Sequence, residues 1–178
     1  MKTGHKVLAG CGIAVGLLAI LILIVVVGLG MASMSGRIPD TKARSGEHLP
    51  EFVTEKLIEL GVIERGEKIL YLYSGGMRDY AEDGNLFTPN RVISYETEID
   101  TDEFVIYDAT WSEIEEIEFE KSNSLLDDST ITVTKKNGEW FILIVSNEES
   151  LDEEFYRELK KLWQKNATKT LRPHRKRP

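Results

Sequence analysis

Residues 131–145 read ITVTKKNGEWFILIV and contain the clearest structural signal in the chain. Two apolar runs, Ile131–Thr134 and Trp140–Val145, lie on either side of the triplet Lys-Asn-Gly at 136–138. Asn-Gly between two apolar runs is typical of a β-hairpin, because both residues tolerate the positive φ that the favoured tight turn requires. The stretch therefore predicts a pair of antiparallel strands.

More strands precede the hairpin, and one helix follows it. Short runs rich in Ile, Val, Tyr and Phe recur with turn residues between them. After the hairpin, apolar residues recur at helical spacing, and Ser150 and Glu153 have the spacing of a capping box. The sequence thus predicts a mostly β fold (β+α). The predicted strands are Ile69–Tyr73, then Leu86–Phe87 and Arg91–Tyr95 as one or two strands, then Phe104–Tyr107 and Ile114–Glu120. The apolar face of the helix comprises Leu151, Phe155, Leu159, Leu162 and Trp163.

The segment Gly84–Tyr95, GNLFTPNRVISY, resembles the strand-turn-strand signature of bacterial pleckstrin-homology-like and GRAM-like domains. In those domains a Thr-x-x-Arg turn precedes an apolar strand, and Thr88 and Arg91 match it. Trp111–Ile117 is similar to the segment in which their next strand begins. Pro89 departs from the polar residue that is usual in the turn.

This resemblance spans roughly residues 67–165. It implies a bent barrel of two orthogonal antiparallel sheets, capped by the C-terminal helix. The residues that it assigns to the fold motif are Gly84, Thr88, Arg91 and Trp163.

A second strong signal lies near the N terminus, where the 26 residues Val7–Ala32 are almost wholly apolar and carry no charge. At a rise of about 1.5 Å per residue, they would form a helix of roughly 39 Å. A hydrocarbon core is about 30 Å thick, so we expect one retained transmembrane helix.

Two other interpretations of this segment fit less well. A cleaved signal peptide has a shorter apolar part, about 7–15 residues, and a sharper exit than Gly28–Ser33 provides. A lipoprotein anchor needs its cysteine at the end of the apolar segment, whereas Cys11 lies near the start. Gly12 and Gly16 have the spacing at which two membrane helices can approach, which allows a weak homodimer.

Composition divides the chain into five parts. Pro50 suits the start of a helix, and Gly61 ends the apolar repeat that follows. We expect this short helix to pack at the edge of the domain. The parts are a head and single transmembrane helix (1–36), a flexible linker (37–48), the short amphipathic helix (49–61), the pleckstrin-homology-like domain (66–165) and a basic disordered tail (166–178).

Charge is segregated along the chain. Glu47–Leu159 carries 29 acidic and 9 basic side chains, whereas the residues from Lys160 onward carry 8 basic side chains and no acid. An acidic body is repelled by phosphates, so no nucleic-acid partner is expected. The tail can either contact anionic lipid, at about 1 kcal/mol per basic residue, or fold back onto the acidic body. Its lipid-contact candidates are Lys169, Arg172, Arg175, Lys176 and Arg177.

The basic residues near the apolar segment also bear on its orientation. Lys2 and Lys6 precede the segment, and Arg37, Lys42 and Arg44 follow it. Two against three slightly favours a cytoplasmic C-terminal domain, and hence a single-pass protein of the cell membrane.

All three histidines and the single cysteine lie outside the predicted domain. His5, His48 and His174 fall in the head, the linker and the tail, and the lone Cys11 falls in the apolar segment. A Cys–His or Ser–His–Asp arrangement within the domain is therefore excluded, and we expect no enzyme and no cofactor.

Acidic clusters are the remaining candidates for chemistry. None has the ligand spacing and glycine of a calcium loop, so a solvated surface is the main interpretation and a divalent-ion site the lesser alternative. We therefore assign no metal ligand. The clusters are Glu116, Glu118 and Glu120 along one strand, Asp100, Asp102 and Glu103 in a turn, and Asp127 and Asp128 in another.

The resemblance also suggests phosphoinositide recognition, which would need basic residues at the loop of the first strand pair to bind the phosphates. Lys68 and Arg78 lie there, but nearby acids outnumber them. Arg91 is better interpreted as structural, bonding a carboxylate or backbone carbonyls at its turn. The acids in question are Glu67, Asp79, Glu82 and Asp83.

These observations predict a non-catalytic, membrane-anchored interaction domain that binds an unknown membrane-proximal protein. The alternative is a sensor of anionic lipid surfaces that uses the basic tail.

Overall fold

The computed structural model describes residues 18–27, 42–76, 79–80, 82–124 and 127–170, without the side chains of 168–170. The chain divides into two compact units, Met1–Arg37 and Ile38–Pro178.

In the first unit, the described residues 18–27 form a helix, α1, and all ten side chains are exposed. Among the described residues, no helix combines the length and the apolar character needed to span a membrane. The remainder of the predicted apolar helix, residues 7–17 and 28–32, lies outside the described residues, as do Cys11, Gly12 and Gly16.

The second unit contains two antiparallel sheets and a C-terminal helix. The first sheet has five strands in the order β1-β2-β3-β4-β5, and the second sheet has three in the order β6-β7-β8. The strands are β1 (Arg44–Ser45), β2 (Tyr71–Tyr73), β3 (Asp83–Phe87), β4 (Arg91–Thr97), β5 (Phe104–Thr110), β6 (Ile114–Glu120), β7 (Ser129–Lys135) and β8 (Trp140–Val145); the helices are α2 (Glu51–Glu59) and α3 (Leu151–Thr170).

The predicted hairpin is β7–β8. Gly138 has φ +89°, a conformation that glycine adopts without strain, and the Lys135 amide donates to the Glu139 carbonyl at 2.8 Å. The register pairs Thr134 with Trp140 and Ile131 with Leu143. The prediction of this hairpin is confirmed.

The first sheet lies between two hydrophobic cores because successive residues of a strand point to opposite faces. The cross-strand pair Phe87 and Val92 belongs to the first core, which the second sheet and α3 complete. The adjacent pair Leu86 and Ile93 belongs to the second core, which α2 covers. Each large apolar side chain buried in this way contributes about 1.5–3 kcal/mol relative to exposure.

The segment predicted as a flexible linker, residues 37–48, needs correction in its described part, residues 42–48, whereas residues 37–41 lie outside the described residues. Arg44–Ser45 is strand β1 and pairs with β2, and Ala43 is buried in the first core. Gly46 reaches so close to Ile69 that an added Cβ would lie 1.9 Å from the Ile69 carbonyl oxygen. Gly46, whose lack of a side chain suggested flexibility, instead allows this close approach.

The predicted domain boundaries, 66–165, also change at both ends. Val53 and Leu57 of α2 are fully buried in the second core, so this helix belongs to the domain and does not merely lie at its edge. At the C-terminal end, α3 continues to Thr170. The predicted disordered tail therefore begins with helical residues, and residues 171–178 lie outside the described residues.

The predicted capping box at the start of α3 is not formed. Ser150 has φ +60°, whereas an N-cap residue has extended geometry, and Glu153 pairs with Lys121. The fully buried Asp152 instead accepts a hydrogen bond from the Ser129 hydroxyl at 2.6 Å. This bond joins the first turn of α3 to β7.

Candidate functional site

The Thr-x-x-Arg turn connects β3 to β4. The Thr88 hydroxyl accepts hydrogen bonds from the amides of Asn90 at 3.1 Å and Arg91 at 3.2 Å, and donates to a Glu67 carboxylate oxygen at 2.8 Å. Thr88 is fully buried. The turn is therefore held by internal bonds of its threonine.

Arg91 makes an extensive set of internal bonds. Its guanidinium donates to both Glu67 carboxylate oxygens, at 2.8 and 3.1 Å, and to Asp108 at 2.8 Å. A further bond reaches the Val62 carbonyl at 3.3 Å. The hydrogen bonds from Arg91 lower the pKa of Glu67 to about 2. With these partners, the guanidinium fixes the loop before β2 to the first sheet.

Gly84 and Trp163 complete the predicted fold-motif residues. Gly84 pairs with Tyr95 across β3 and β4, and a Cβ at Gly84 would lie 2.4 Å from the Tyr95 hydroxyl oxygen. That hydroxyl donates to the Tyr80 carbonyl at 2.8 Å. Trp163 is half-buried against the first core, and its buried indole N–H has no hydrogen-bond partner among the described residues.

The basic residues considered for lipid binding comprise Lys68 and Arg78, which the sequence analysis set aside, and the predicted contacts of the tail. Lys68 pairs with Glu47 at 3.7 Å, and Arg78 lies outside the described residues. Lys169 is in the last turn of α3, where its side chain is not described. Arg172, Arg175, Lys176 and Arg177 lie outside the described residues.

The acidic candidates do not converge. Within the described part of the chain, no group of three or more His, Cys, Asp or Glu side chains is arranged to hold a metal ion. Glu116, Glu118 and Glu120 lie exposed along β6, and Asp128 accepts a hydrogen bond from the Tyr73 hydroxyl at 3.1 Å.

A groove of about 740 Å³ opens between the first sheet and β8. Its polar groups bond largely to one another. The Asn85 amide donates to the Ile144 carbonyl at 2.6 Å, and the Ser94 hydroxyl donates to the Asn85 side-chain oxygen at 2.8 Å. Asp83 accepts from the Gly75 amide at 2.8 Å. These bonds make the floor of the groove a structural network.

Burial also affects the titratable groups of the groove. Burial raises the pKa of Asp83, although amide hydrogen bonds from Gly75 and Gly76 oppose this effect. Burial and the neighbouring Asp128 raise the pKa of Tyr73. The Tyr73 hydroxyl therefore stays protonated and donates its hydrogen bond at neutral pH.

Large apolar side chains of β8 line one wall of this groove and are exposed to solvent. Trp140, Ile142 and Ile144 are 63%, 39% and 50% exposed, and we call them the apolar row. Tyr107 on β5 is 38% exposed and stacks on Phe141 with 6.4 Å between ring centroids. Such a patch is typical of a binding surface, because folding alone does not require it.

The sequence analysis assigned β8 correctly as a strand but did not anticipate the apolar row. The available signal was its continuous apolar run. Phe141, Leu143 and Val145 suffice to fill the inner face, so the alternate residues had to face outward if the second sheet has one covered face. The sequence alone does not show whether one face or both faces of this sheet are covered, because that depends on how the layers pack.

No protein-family model and no curated protein matches this sequence. Two solved structures are similar to it. One is a DUF1696 family protein with a pleckstrin-homology domain from Shewanella loihica PV-4, with a TM-score of 0.46 and 14% identity, covering 71% of this chain and 97% of that protein.

The other is a bacterial protein that contains a pleckstrin-homology domain, from Exiguobacterium sibiricum 255-15. Its TM-score is 0.46 and its identity 20%, and the match covers 68% of this chain and 61% of that one. Both proteins contain a pleckstrin-homology domain, the kind of domain that Gly84–Tyr95 resembles. The similarity concerns the fold alone.

Proposed function

We propose that this chain is a single-pass membrane protein whose folded domain is a non-catalytic interaction module for a protein partner at the membrane. The observation that carries the proposal is the apolar row, which lies exposed on a domain with a large excess of acidic side chains. Exposed apolar patches with polar surroundings are characteristic of protein–protein interfaces.

The membrane anchor rests on the sequence of Val7–Ala32. Its length and lack of charge suit a bilayer span, and the ten described residues 18–27 are helical with exposed apolar side chains. The distribution of Lys and Arg around it favours a cytoplasmic domain. Extraction of membranes with alkaline carbonate tests the anchor, since an integral protein stays in the pellet.

The partner is tested by co-purification from detergent-extracted membranes with the full-length chain. Trp140→Ser removes the most exposed member of the apolar row, and Glu55→Ser changes an exposed position of α2 as a control. We expect a protein that is retained by the parent chain and by Glu55→Ser but lost with Trp140→Ser. Identical sets of proteins with all three chains would contradict the proposed use of this surface.

The second candidate function is recognition of anionic lipid surfaces, favoured by the 8 basic residues from Lys160 onward. Proteoliposomes of phosphatidylcholine with and without phosphatidylserine separate it from protein binding. A lipid sensor would recruit its tail to phosphatidylserine at low salt and release it at physiological salt, because the Debye length falls to about 8 Å.

A further inference from the structure

The strand register places three rows of side chains side by side on the outer face of the second sheet. In β6, Glu116, Glu118 and Glu120 form the glutamate row, and the apolar row lies on β8. Between them, β7 contributes the threonine row. The cross-strand sets are Glu116–Thr134–Trp140, Glu118–Thr132–Ile142 and Glu120–Thr130–Ile144.

This three-row face is accessible to solvent in the described part of the chain, and its β8 side also forms one wall of the groove. The glutamate row and the apolar row are exposed, and the threonine row is half-buried. The opposite face of the same strands fills the first core with Ile117, Ile131 and Leu143. The outer rows therefore make no contribution to that core, and their chemistry is available for binding.

We propose that the three-row face binds an amphipathic basic helix of a protein partner. This inference rests on the proposed function and specifies its partner. The apolar stripe of the helix covers the apolar row, and Lys or Arg side chains on the adjacent stripe meet the glutamate row. The threonine row lies beneath the axis of the helix, where small hydroxyl side chains leave room for its approach.

The spacing of the rows favours a helix over an extended segment. The outer rows are two strand spacings apart, about 9.5 Å, which a helix of about 10–12 Å diameter can bridge. An extended segment presents one row of side chains to a surface, so it cannot meet both. Three residues along each row span about 13 Å, close to the roughly 12 Å between helix positions i and i+8.

The negative charge of the glutamate row favours a basic protein segment over anionic lipid or a second copy of this chain as the occupant of this surface. The glutamate row repels anionic lipid, and the 29 acidic against 9 basic side chains of Glu47–Leu159 oppose the approach of a second copy. Complementary charge beside an apolar contact also fixes the direction and register of a bound helix.

The test uses the full-length chain in micelles of a neutral detergent and a designed peptide probe. The probe is a helix of about 18 residues, or five turns, with a leucine stripe next to a lysine stripe and a fluorescent label. Fluorescence anisotropy gives its Kd, with empty micelles as the blank. A second peptide carries glutamate in place of every lysine.

We expect the lysine peptide to bind and the glutamate peptide not to bind. Reversal of the glutamate row in the triple variant E116K/E118K/E120K should weaken binding roughly ten-fold or more. Trp140→Ala should weaken it roughly thirty-fold, since a tryptophan that a partner buries often dominates the binding energy of an interface. The matched control E51K/E55K/E59K makes the same change of charge on α2. It should weaken peptide binding less than about three-fold at physiological salt.

The alternatives give different results. An equal loss with both triple variants would mean non-specific attraction to an acidic protein and would overturn the inference. Absence of peptide binding would also overturn it, and so would a dimer that Ile142→Ser dissociates, because the occupant would then be a second copy. If a partner still co-purifies in a Trp140-dependent manner while the peptide does not bind, the proposed function stands and only the chemistry of the partner is wrong.

Discussion

The two sheets of the domain differ in how many faces they bury. The first sheet is covered on both faces, by α2 on one side and by the second sheet and α3 on the other. The second sheet is covered on one face only, yet its strand β8 is apolar on both. Packing explains most of the apolar residues of the first sheet, in which Tyr107 on β5 is 38% exposed, whereas the whole apolar row of the second sheet requires another explanation. We attribute it to recognition.

The largest expected effect is a difference in stability between substitutions on the two faces of β8. Leu143→Ala removes a fully buried side chain of the first core and should lower the free energy of unfolding by about 2–5 kcal/mol. Ile144→Ala, the next residue, should cost less than about 1 kcal/mol because the side chain is half exposed. Denaturant unfolding of the full-length chain followed by circular dichroism measures both. Similar losses would mean that the outer face is also packed.

A smaller effect is expected at Gly84, where the first sheet is covered on both sides. The Cβ of Gly84→Ala would lie 2.4 Å from the hydroxyl oxygen of the buried Tyr95. Tyr95 cannot easily turn away because its hydroxyl bonds the Tyr80 carbonyl. We expect a loss of about 1–3 kcal/mol in the same assay. The double change Gly84→Ala with Tyr95→Phe should recover part of it, and no recovery would place the strain elsewhere.

The carboxylate of Glu67 should give the domain a specific dependence on acid. Hydrogen bonds from Arg91 lower the pKa of Glu67 from 4.5 to about 2 in the folded state. A lowered carboxyl pKa stabilises the fold above pH 4.5, and that stabilisation is lost as the pH falls from 4.5 towards 2. Glu67→Gln should cost roughly 1–3 kcal/mol at pH 7.

The difference in unfolding free energy between the parent chain and Glu67→Gln isolates this group from the other carboxylates. It should be largest at pH 7 and shrink below pH 4.5. A constant difference from pH 7 to pH 3 would show that the Arg91 bond is not linked to protonation of Glu67.

The smallest effect on stability is expected on the outer face of the second sheet. Glu118→Gln removes an exposed charge opposite Thr132, and we expect a change of less than about 0.5 kcal/mol in unfolding free energy. The same variant should weaken binding of the basic peptide. A large loss of stability here would indicate that the glutamate row serves the fold.

The sequence predicted those elements whose residue pattern is typical of a single local structure. Asn137-Gly138 predicted the β7–β8 hairpin, and the short apolar runs predicted strands at the positions of β2 to β8, although β3, β5 and β7 are each three residues longer than predicted. The helical repeat predicted α3. These signals are local, so they can be detected without knowledge of the layers.

Features that depend on distant parts of the chain were missed. Arg44–Ser45 lies in a stretch of loop-like composition, but its pairing with β2 depends on a contact between sequence-distant segments. Glu67 could not be selected as the partner of Arg91, since its neighbourhood contains several acids. Ser150 had the right spacing for a cap, but the turn before α3 gave it positive φ. The apolar row became visible only when one face of the second sheet was seen to be uncovered.

The hydrogen bond between Asn85 and Ile144 has a consequence for solubility. β8 forms one edge of the second sheet, and an apolar edge strand is a template on which other chains can assemble into aggregates. The Asn85 amide occupies the Ile144 carbonyl, an acceptor to which an incoming strand would otherwise bond. A single amide side chain, supplied from the neighbouring sheet, thus protects the strand that carries the most exposed tryptophan of the domain from uncontrolled polymerisation.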